Sequence, residues 1–428
     1  MKLLHKLYRV LLTSVLIVEV FPNNAQTPTY SLEECRQMAL TQNKKIKTAQ
    51  FQIEASRVAR DASKLNDRAN IDASVVGLHV GKPLNQLLPS FLGSGAVVVA
   101  QPIYTGGQIK LGIQANNKAI EISEGQKAIT ESELLVSVES AYWQIVQVKE
   151  KIVLAQKYKE MLLQLHKELK NAVDAGLTYK NDLLRVEVNL NEAELNIAKA
   201  QDGLILAKLN LAQIIGKSNQ IDFNITDEIN TFSYELLAQK VNDSAELRPE
   251  IQVLNRVMEL EHIKTSLIKA EHKPQLSFLF SGFASVGNKV NFSNGDSFLG
   301  SYVGLLNFSI PIYDWGKNAL KVKEQELKIQ AKKWELEESK ELINLQVQSA
   351  WLQLNQTLRK IDLSNLSIKQ SEENLRLAND RYKAGTITGK DVLEAQAIWQ
   401  QAYSSHIDAK VEYKVSLANY KKAIGEIK

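Results

Sequence analysis

"QPIYTGGQIKLG" occupies residues 101–112 and "IPIYDWGKNALK" occupies residues 310–321. Each copy writes Pro-Ile-Tyr, two residues and a glycine, and each stands before a long run without proline. Pro102 and Pro311 lie 209 positions apart, as do Gly107 and Gly316. The same shift relates Ala141 to Ala350, Gly176 to Gly385, Asp182 to Asp391 and Gly216 to Gly425. One ungapped offset over this distance is an internal duplication of half a chain, far longer than a solenoid unit. Proline removes a ladder donor and belongs at a strand's end or edge. A glycine after it lets the chain take a new direction. Pro102, Gly107, Pro311 and Gly316 therefore read as two junctions where a strand becomes a helix.

The stretch after each junction is helical. Leu134, Val138, Ala141, Ile145, Val148, Ile152 and Ala155 alternate spacings of four and three, and Leu162, Leu165, Leu169 and Ala172 resume them. That is a heptad seam, the mark of coiled-coil packing. A long helix is predicted from about Ile109 to Asp174, on the order of 100 Å at 1.5 Å per residue. A returning helix, about Asn181 to Ile215, carries its own seam from Leu183 to Ile214. The second half repeats this with Asn318–Lys383 and Asp391–Ile424. Two shorter helices, Leu32–Asn66 and Arg248–His272, are expected to cover the uncovered lengths of the long ones. On this reading Arg248–His272 lies on the first long helix and Leu32–Asn66 on the second. The turns "VDAGLTYKNDLL" and "YKAGTITGKDVL" place glycine where a helix ends in a left-handed residue. In each, a Thr offers the next N-cap and an Asp sits in the first turn.

The stretch before each junction is a strand pair. "NIDASVVGLHV" and "GAVVVAQPIY" form the first pair, and "PQLSFLFSGF" with "GSYVGLLNFSIPIY" the second. Each strand is about ten residues, the length of a membrane β-strand. Tyr302, Leu306, Phe308 and Ile310 share one face, and Asn307 and Ser309 the other. A small soluble sheet capping the helices is the alternative from pattern alone. Four strands cannot close a barrel, and open edges are not tolerated in lipid. If these strands cross a membrane, several chains each contribute four.

The chain has 428 residues, 44% hydrophobic, with a net charge of +4 and 8 prolines. That charge gives no reason to expect a nucleic-acid partner. Lys2, Lys6 and Arg9 precede an apolar run, Val10–Val20, too short to span a bilayer. With the small residues near position 25 this reads as a secretory signal peptide. The lone cysteine, Cys35, has no internal disulfide partner and lies in a helical pattern, not at a lipidation site. The expected division is residues 1–25 signal peptide, 26–219 first repeat, 220–247 an equatorial connection containing most of "SYELLAQKVNDSAELRPEIQ", and 248–428 second repeat.

Taken together, "SLEECRQMALTQNKKIK", the repeated P-I-Y-x-x-G, "LRPEI" at 247–251 and "RYKAGTITGKDVLEAQ" at 381–396 resemble the TolC-like outer-membrane efflux channels of Gram-negative bacteria. Cys35 departs from the small residue usual there. The resemblance implies a mainly α chain with a membrane β-barrel part. Its long antiparallel helical hairpins would form an α-barrel tunnel, and three chains would build a 12-stranded barrel. It implies a homotrimer in the outer membrane, meeting lipid there. It also implies a periplasmic adapter (membrane fusion) protein and an inner-membrane pump of RND, ABC or MFS type. Ala175, Gly176, Leu177 and Thr178, with Ala384, Gly385, Thr386 and Ile387, match the adapter-docking tips. Asp391 and Glu394 match acidic positions ringing a closed aperture, and three copies would raise one another's pKa. Asp391 serving only its helix start is the plain alternative. Arg381, Tyr382 and Lys383 would bond across neighbouring hairpins to hold the gate.

No enzyme signature appears. His79, His166, His262, His272 and His406 lack metal-ligand spacing, and "TGGQ" lacks the lysine of a phosphate loop. Neither a cofactor nor a catalytic residue is expected. A periplasmic coiled-coil scaffold or adapter without a pore is the rival reading.

Overall fold

The computed structural model describes residues 27–427 except 87, 88, 219, 229–245, 247 and 292. The expected signal peptide and most of the 220–247 connection lie outside the described residues. The described part of the first half begins with strand β1 (Thr29–Tyr30), α1 (Leu32–Gln42) and α2 (Lys44–Lys64). Strands β2 (Asn70–His79) and β3 (Phe91–Tyr104) come next, then α3 (Gln108–Asp174) and α4 (Lys180–Ile214). After β4 (Asn224–Ile225) the second half repeats the order with α5 (Pro249–Ala270), β5 (Gln275–Gly287), β6 (Phe298–Ser309), α6 (Lys317–Lys383) and α7 (Gly389–Ala423). The two long helices, α3 and α6, have 67 residues each, about 100 Å. β1 and β4 pair in parallel and tie the chain's start to the connection.

The heptad reading survives packing. Val138, Ala141, Ile145, Leu162, Leu165 and Leu169 of α3 are buried, and Tyr158 fills the weak step after Ala155. In α6 the buried series Leu336, Ile343, Val347, Leu354, Ile361 keeps the same rhythm. The helices lie as a layer in the order α4, α3, α7, α6, with α2 and α5 covering the proximal stretch of the long pair.

Two expectations change. The N-terminal helix is broken at Asn43, which ends α1 and caps α2. Its Oδ1 accepts from Lys45 N–H at 2.8 Å, while its Nδ2 donates to Ile214 O at 2.7 Å, so one side chain serves two helix ends. Within the chain α2 packs on α3, not on the second long helix, and α5 packs on both α3 and α6. Among the described residues no N-terminal helix lies beside α6.

The four long strands form one antiparallel sheet in the order β2-β3-β5-β6. Asn70 faces Ala100, Ala100 faces Leu279, and Gln275 faces Ser309. Followed across these ladders, Ile71, Val75, Val97, Phe280, Tyr302 and Phe308 fall on one face. Asp72, Ser74, Ser94, Ser285 and Asn307 fall on the other. The alternation seen in β6 therefore holds only in part: the first face is largely apolar, whereas Val76, Leu78, Phe283, Val303 and Leu305 share the second face with the polar residues. Ser285 and Ser94 hydroxyls bond at 3.0 Å on the polar face, and Phe280 stacks on Tyr302 on the apolar one. Val75 is 87% exposed and Tyr302 73%. Burying such side chains is worth about 1.5–3 kcal/mol each, so this face needs an apolar cover. No helix among the described residues is long and apolar enough to cross a membrane.

Candidate functional site

The two hairpin tips are built alike. Helix α3 ends at Ala175 and α6 at Ala384. Gly176 (φ 72°) and Gly385 (φ 73°) then take the left-handed conformation. Leu177 N–H bonds back to Ala172 O at 2.8 Å, and Thr386 N–H to Arg381 O at 3.0 Å. These are paired C-terminal caps of one geometry. Ala175, Gly176, Leu177, Ala384, Gly385 and Thr386 are exposed; Thr178 and Ile387 are half-buried.

The next helix starts differ. Thr388 caps α7 as expected, in a reciprocal box with Asp391. Thr178 does not cap α4: the N-cap is Tyr179, with no side-chain bond. The Asp391 carboxylate accepts from Thr388 N–H at 2.9 Å and Thr388 Oγ–H at 2.8 Å. The Thr388 backbone bond and then its hydroxyl hold the Asp391 carboxyl below the ordinary carboxylate range. A crowded acidic ring would move it the other way, so in the single chain Asp391 follows the plain alternative. Glu394, three residues on, is exposed.

Arg381 and Tyr382 separate. Arg381 is exposed. Tyr382 packs into the apolar cluster of Leu165, Leu169, Val186 and Val392, joining the two hairpins of one chain. Burial, with Glu168 and Asp182 nearby, pushes its phenol up. Gly389 belongs to the same contact: a Cβ there would lie 2.8 Å from a methyl of Leu169.

At the junctions, Gly107 (φ 92°) and Gly316 (φ 79°) are the N-caps of α3 and α6. Pro102 sits inside β3, next to a register shift, and Pro311 lies just beyond β6. The residue before each cap is also left-handed: Gly106 (φ 64°) in the first copy and Trp315 (φ 57°) in the second. Gly106 has no room for a side chain, since a Cβ would lie 2.7 Å from Lys273 Cβ and 2.9 Å from Ala270 O. In the second copy Asp314 steadies the turn, accepting from Gly316 N–H at 3.0 Å and Asn318 N–H at 2.7 Å.

Sequence reasoning missed the polar lock at the middle of the long helices. Glu139 is 4% exposed on α3, one position past the seam residue Val138. It accepts from Arg36 of α1 and from Trp143 Nε1–H at 3.0 Å. Arg248 is buried and donates to Ala423 O at 3.1 Å, placing a cation at the C-terminus of α7. The only signal was a charge inside an apolar run. No group of three His, Cys, Asp or Glu among the described residues is placed to hold a metal ion.

The sequence model of the family "outer membrane efflux protein" matches residues 35–217 and 246–426. Outer membrane protein TolC of Salmonella enteritidis is 22% identical over 328 residues, 74% of this chain and 66% of that protein. TolC of Escherichia coli strain K12 is 22% identical over 327 residues, 72% and 65% of the two chains. The chain thus spans about two thirds of the curated relatives it matches. Among solved structures, CusC superposes with a TM-score of 0.78 at 15% identity, covering 92% of both chains. The Campylobacter jejuni CmeC outer membrane channel gives 0.77 at 17% identity, covering 92% of this chain and 85% of that one. The Neisseria gonorrhoeae MtrE outer membrane channel, in its open state, gives 0.75 at 20%, covering 92% and 88%. These likenesses establish the fold.

Proposed function

The chain belongs to the outer membrane efflux protein family, and from that premise we propose that it is the exit channel of a tripartite efflux or secretion system. Its place is the outer membrane of a Gram-negative cell, with an elongated helical part in the periplasm. The carrying observation is the joint itself. A four-stranded sheet, apolar on one face and open at both edges, is continuous through left-handed junctions with paired helices of 67 residues. Strands of this length fit a bilayer, and helices of this length fit a compartment beneath it.

The assembly is a homotrimer. β2 and β6 leave two unpaired edges, and lipid does not tolerate such edges. The outer helices repeat the pattern. Leu320, Leu327 and Trp334 of α6 stay exposed at seven-residue spacing, then Leu345 and Leu352, as do Val188 and Leu195 of α4. A second seam on each outer helix supports lateral packing between copies. Three chains then make a 12-stranded barrel over a helical tunnel whose polar strand faces line the pore.

The duct does no chemistry; an inner-membrane pump of RND, ABC or MFS type supplies energy, and a periplasmic adapter links pump to duct. Leu177, exposed to 81% at its tip, and the matching surface at Ala384–Ile387 are the docking points. Tyr382 and Gly389 hold the two hairpins together. Asp391 and Glu394 ring the closed end in threes, with Glu394 the more forward of the pair because Asp391 also caps α7.

Planar-bilayer conductance of the purified protein tests this. A small cation-selective conductance, blocked by trivalent cations and relieved of that block in Asp391→Asn plus Glu394→Gln, is expected. A protein that stays soluble without detergent and conducts in neither form would return the reading to a periplasmic coiled-coil protein.

A further inference from the structure

The duplication specifies how two copies meet, which the single chain does not contain. In the β2–β3 ladder Asn70 faces Ala100, and in the β5–β6 ladder Gln275 faces Ser309. Ala100 and Ser309 are related by the 209-residue offset, so Asn70 and Gln275 correspond, with an offset of 205. The contact between the two halves, β3 against β5, pairs Ala100 with Leu279. Carrying that contact to the outer edges moves Ala100 to Ser309 and Leu279 to Ser74. We infer that β6 of one chain pairs antiparallel with β2 of a second copy, Ser309 opposite Ser74, with Trp315 wedged against Leu65 and Arg68 of that copy.

The faces agree with this register. Ser309 and Ser74 both lie on the polar face, and the next pair, Phe308 with Val75, lies wholly on the apolar face. A slip of one residue would turn every side chain of β2 to the wrong side.

The wedge comes from the same two offsets. Gly106 sits against Ala270 and Lys273 with no space for a Cβ. The corresponding place between copies holds Trp315 against Leu65 and Arg68. Trp315 keeps a left-handed φ of 57° and is 86% exposed in the single chain. A bulky residue in that conformation is a backbone outlier that needs support from its surroundings. The Trp315 ring touches Tyr313 in the chain, centroids 5.0 Å apart, and the second copy supplies the rest. The Arg68 guanidinium suits the face of an indole. Beside it, Lys317 stands where Gln108 donates to Ala270 O at 3.3 Å, placed to donate to Leu65 O of the second copy. The joint between copies is therefore wider than the joint inside the chain and is filled by an aromatic ring. Leu65 is 55% exposed until then.

This inference rests on the barrel reading, and one cross-linking series separates the two. Cross-strand partners have Cα atoms about 4.5–5.5 Å apart, inside the disulfide window, whereas a diagonal neighbour lies at about 7–8 Å, outside it. Full-length Ser74→Cys/Ser309→Cys is oxidised in detergent beside Asp72→Cys/Ser309→Cys, Val76→Cys/Ser309→Cys and each single substitution alone. Cys35 is fully buried and stays in place, and the singles report any background. A covalent trimer from the Ser74 pair alone is the expected result. Stronger linking in a shifted pair, or an intact trimer with no link, would overturn the register while leaving the barrel. A single-chain mass with no link in any variant would overturn the barrel reading as well. Trp315→Gly, which fits the same φ, is expected to lower the temperature at which the trimer dissociates in SDS with the circular dichroism unchanged. An unchanged dissociation temperature overturns the wedge.

Discussion

Acidification should loosen the helical layer through one residue, His406. Its ring sits on α7 where α3, α6 and α7 meet, with Nδ1 2.8 Å from the Ser364 hydroxyl of α6. Lys410 lies one turn on, Glu150 and Lys157 face the same groove from α3, and Tyr403 bonds Glu372 beside it. Burial first, and then Lys410, push the His406 pKa down from 6.5 to about 4. The unfolded chain therefore takes up a proton near the ordinary value, and the folded chain resists it until about 4. Between those values the unfolded state binds more protons, so stability rises with pH and is lost as pH falls. Going from about pH 7 to about pH 5, full linkage gives roughly 2 kcal/mol. His406 is only half-buried, and solvent screening reduces this to about 1 kcal/mol. Thermal melts followed by circular dichroism, for wild type and His406→Gln, test the figure. Gln keeps a partner for Ser364 and does not titrate. Wild type should lose more of its midpoint on acidification than the variant. Equal losses, or a larger loss in His406→Gln, would refute the assignment.

Glu139→Leu alone should cost about 2–3 kcal/mol, because it removes the buried partner of the Arg36 guanidinium and leaves it only the exposed Glu33 at 3.0 Å, whereas Arg36→Met with Glu139→Leu should recover most of it; urea unfolding reads both. Gly385→Ala meets open space and should cost only the left-handed penalty, about 1 kcal/mol. Gly106→Ala adds the contacts with Lys273 and Ala270 and should lower the thermal midpoint further. Asp391→Ala removes the capping box, so hydrogen exchange at Thr388–Val392 should quicken. In wild type the same loss of protection, measured against the intrinsic exchange rate at each pH, should appear only as pH falls through the lowered Asp391 pKa, since a depressed carboxyl stabilises above its ordinary value and fades below it.

The duplication and the heptads made the long helices legible to within a residue or two, since both are local periodic signals. The strands were legible in existence but not in extent: β3 begins at Phe91, ahead of the expected Gly95, because pairing with β2, where Phe91 faces His79, and not composition sets its end. Asn43 was hidden because its break depends on Ile214, distant in sequence. The Arg36–Glu139 pair was hidden for the same reason, and so was the placement of α2 on α3. Of the tip, the glycines were readable from the cap pattern. Tyr382 was not, because its packing against Leu165 and Leu169 belongs to the meeting of two hairpins. Thr178 shows the converse, a residue of the right type one position from the cap the chain uses.

The long seam of α3 and α6 has a mechanical consequence. A straight α-helix drifts about 20° per heptad from a strict seven-residue repeat. Over 67 residues the drift would carry the seam roughly halfway around the rod. The helices stay in contact only by coiling left-handed about one another, with a pitch on the order of 150 Å. Such a coil would displace each tip in azimuth from the strand that feeds it, and the rod would act as a torsion element. A torque applied at Gly176 or Gly385 would be stored as a change of pitch spread over many turns, each moving little. On the proposed channel reading, the strand end at Gly107 and Gly316 would stay still while the far end rotates.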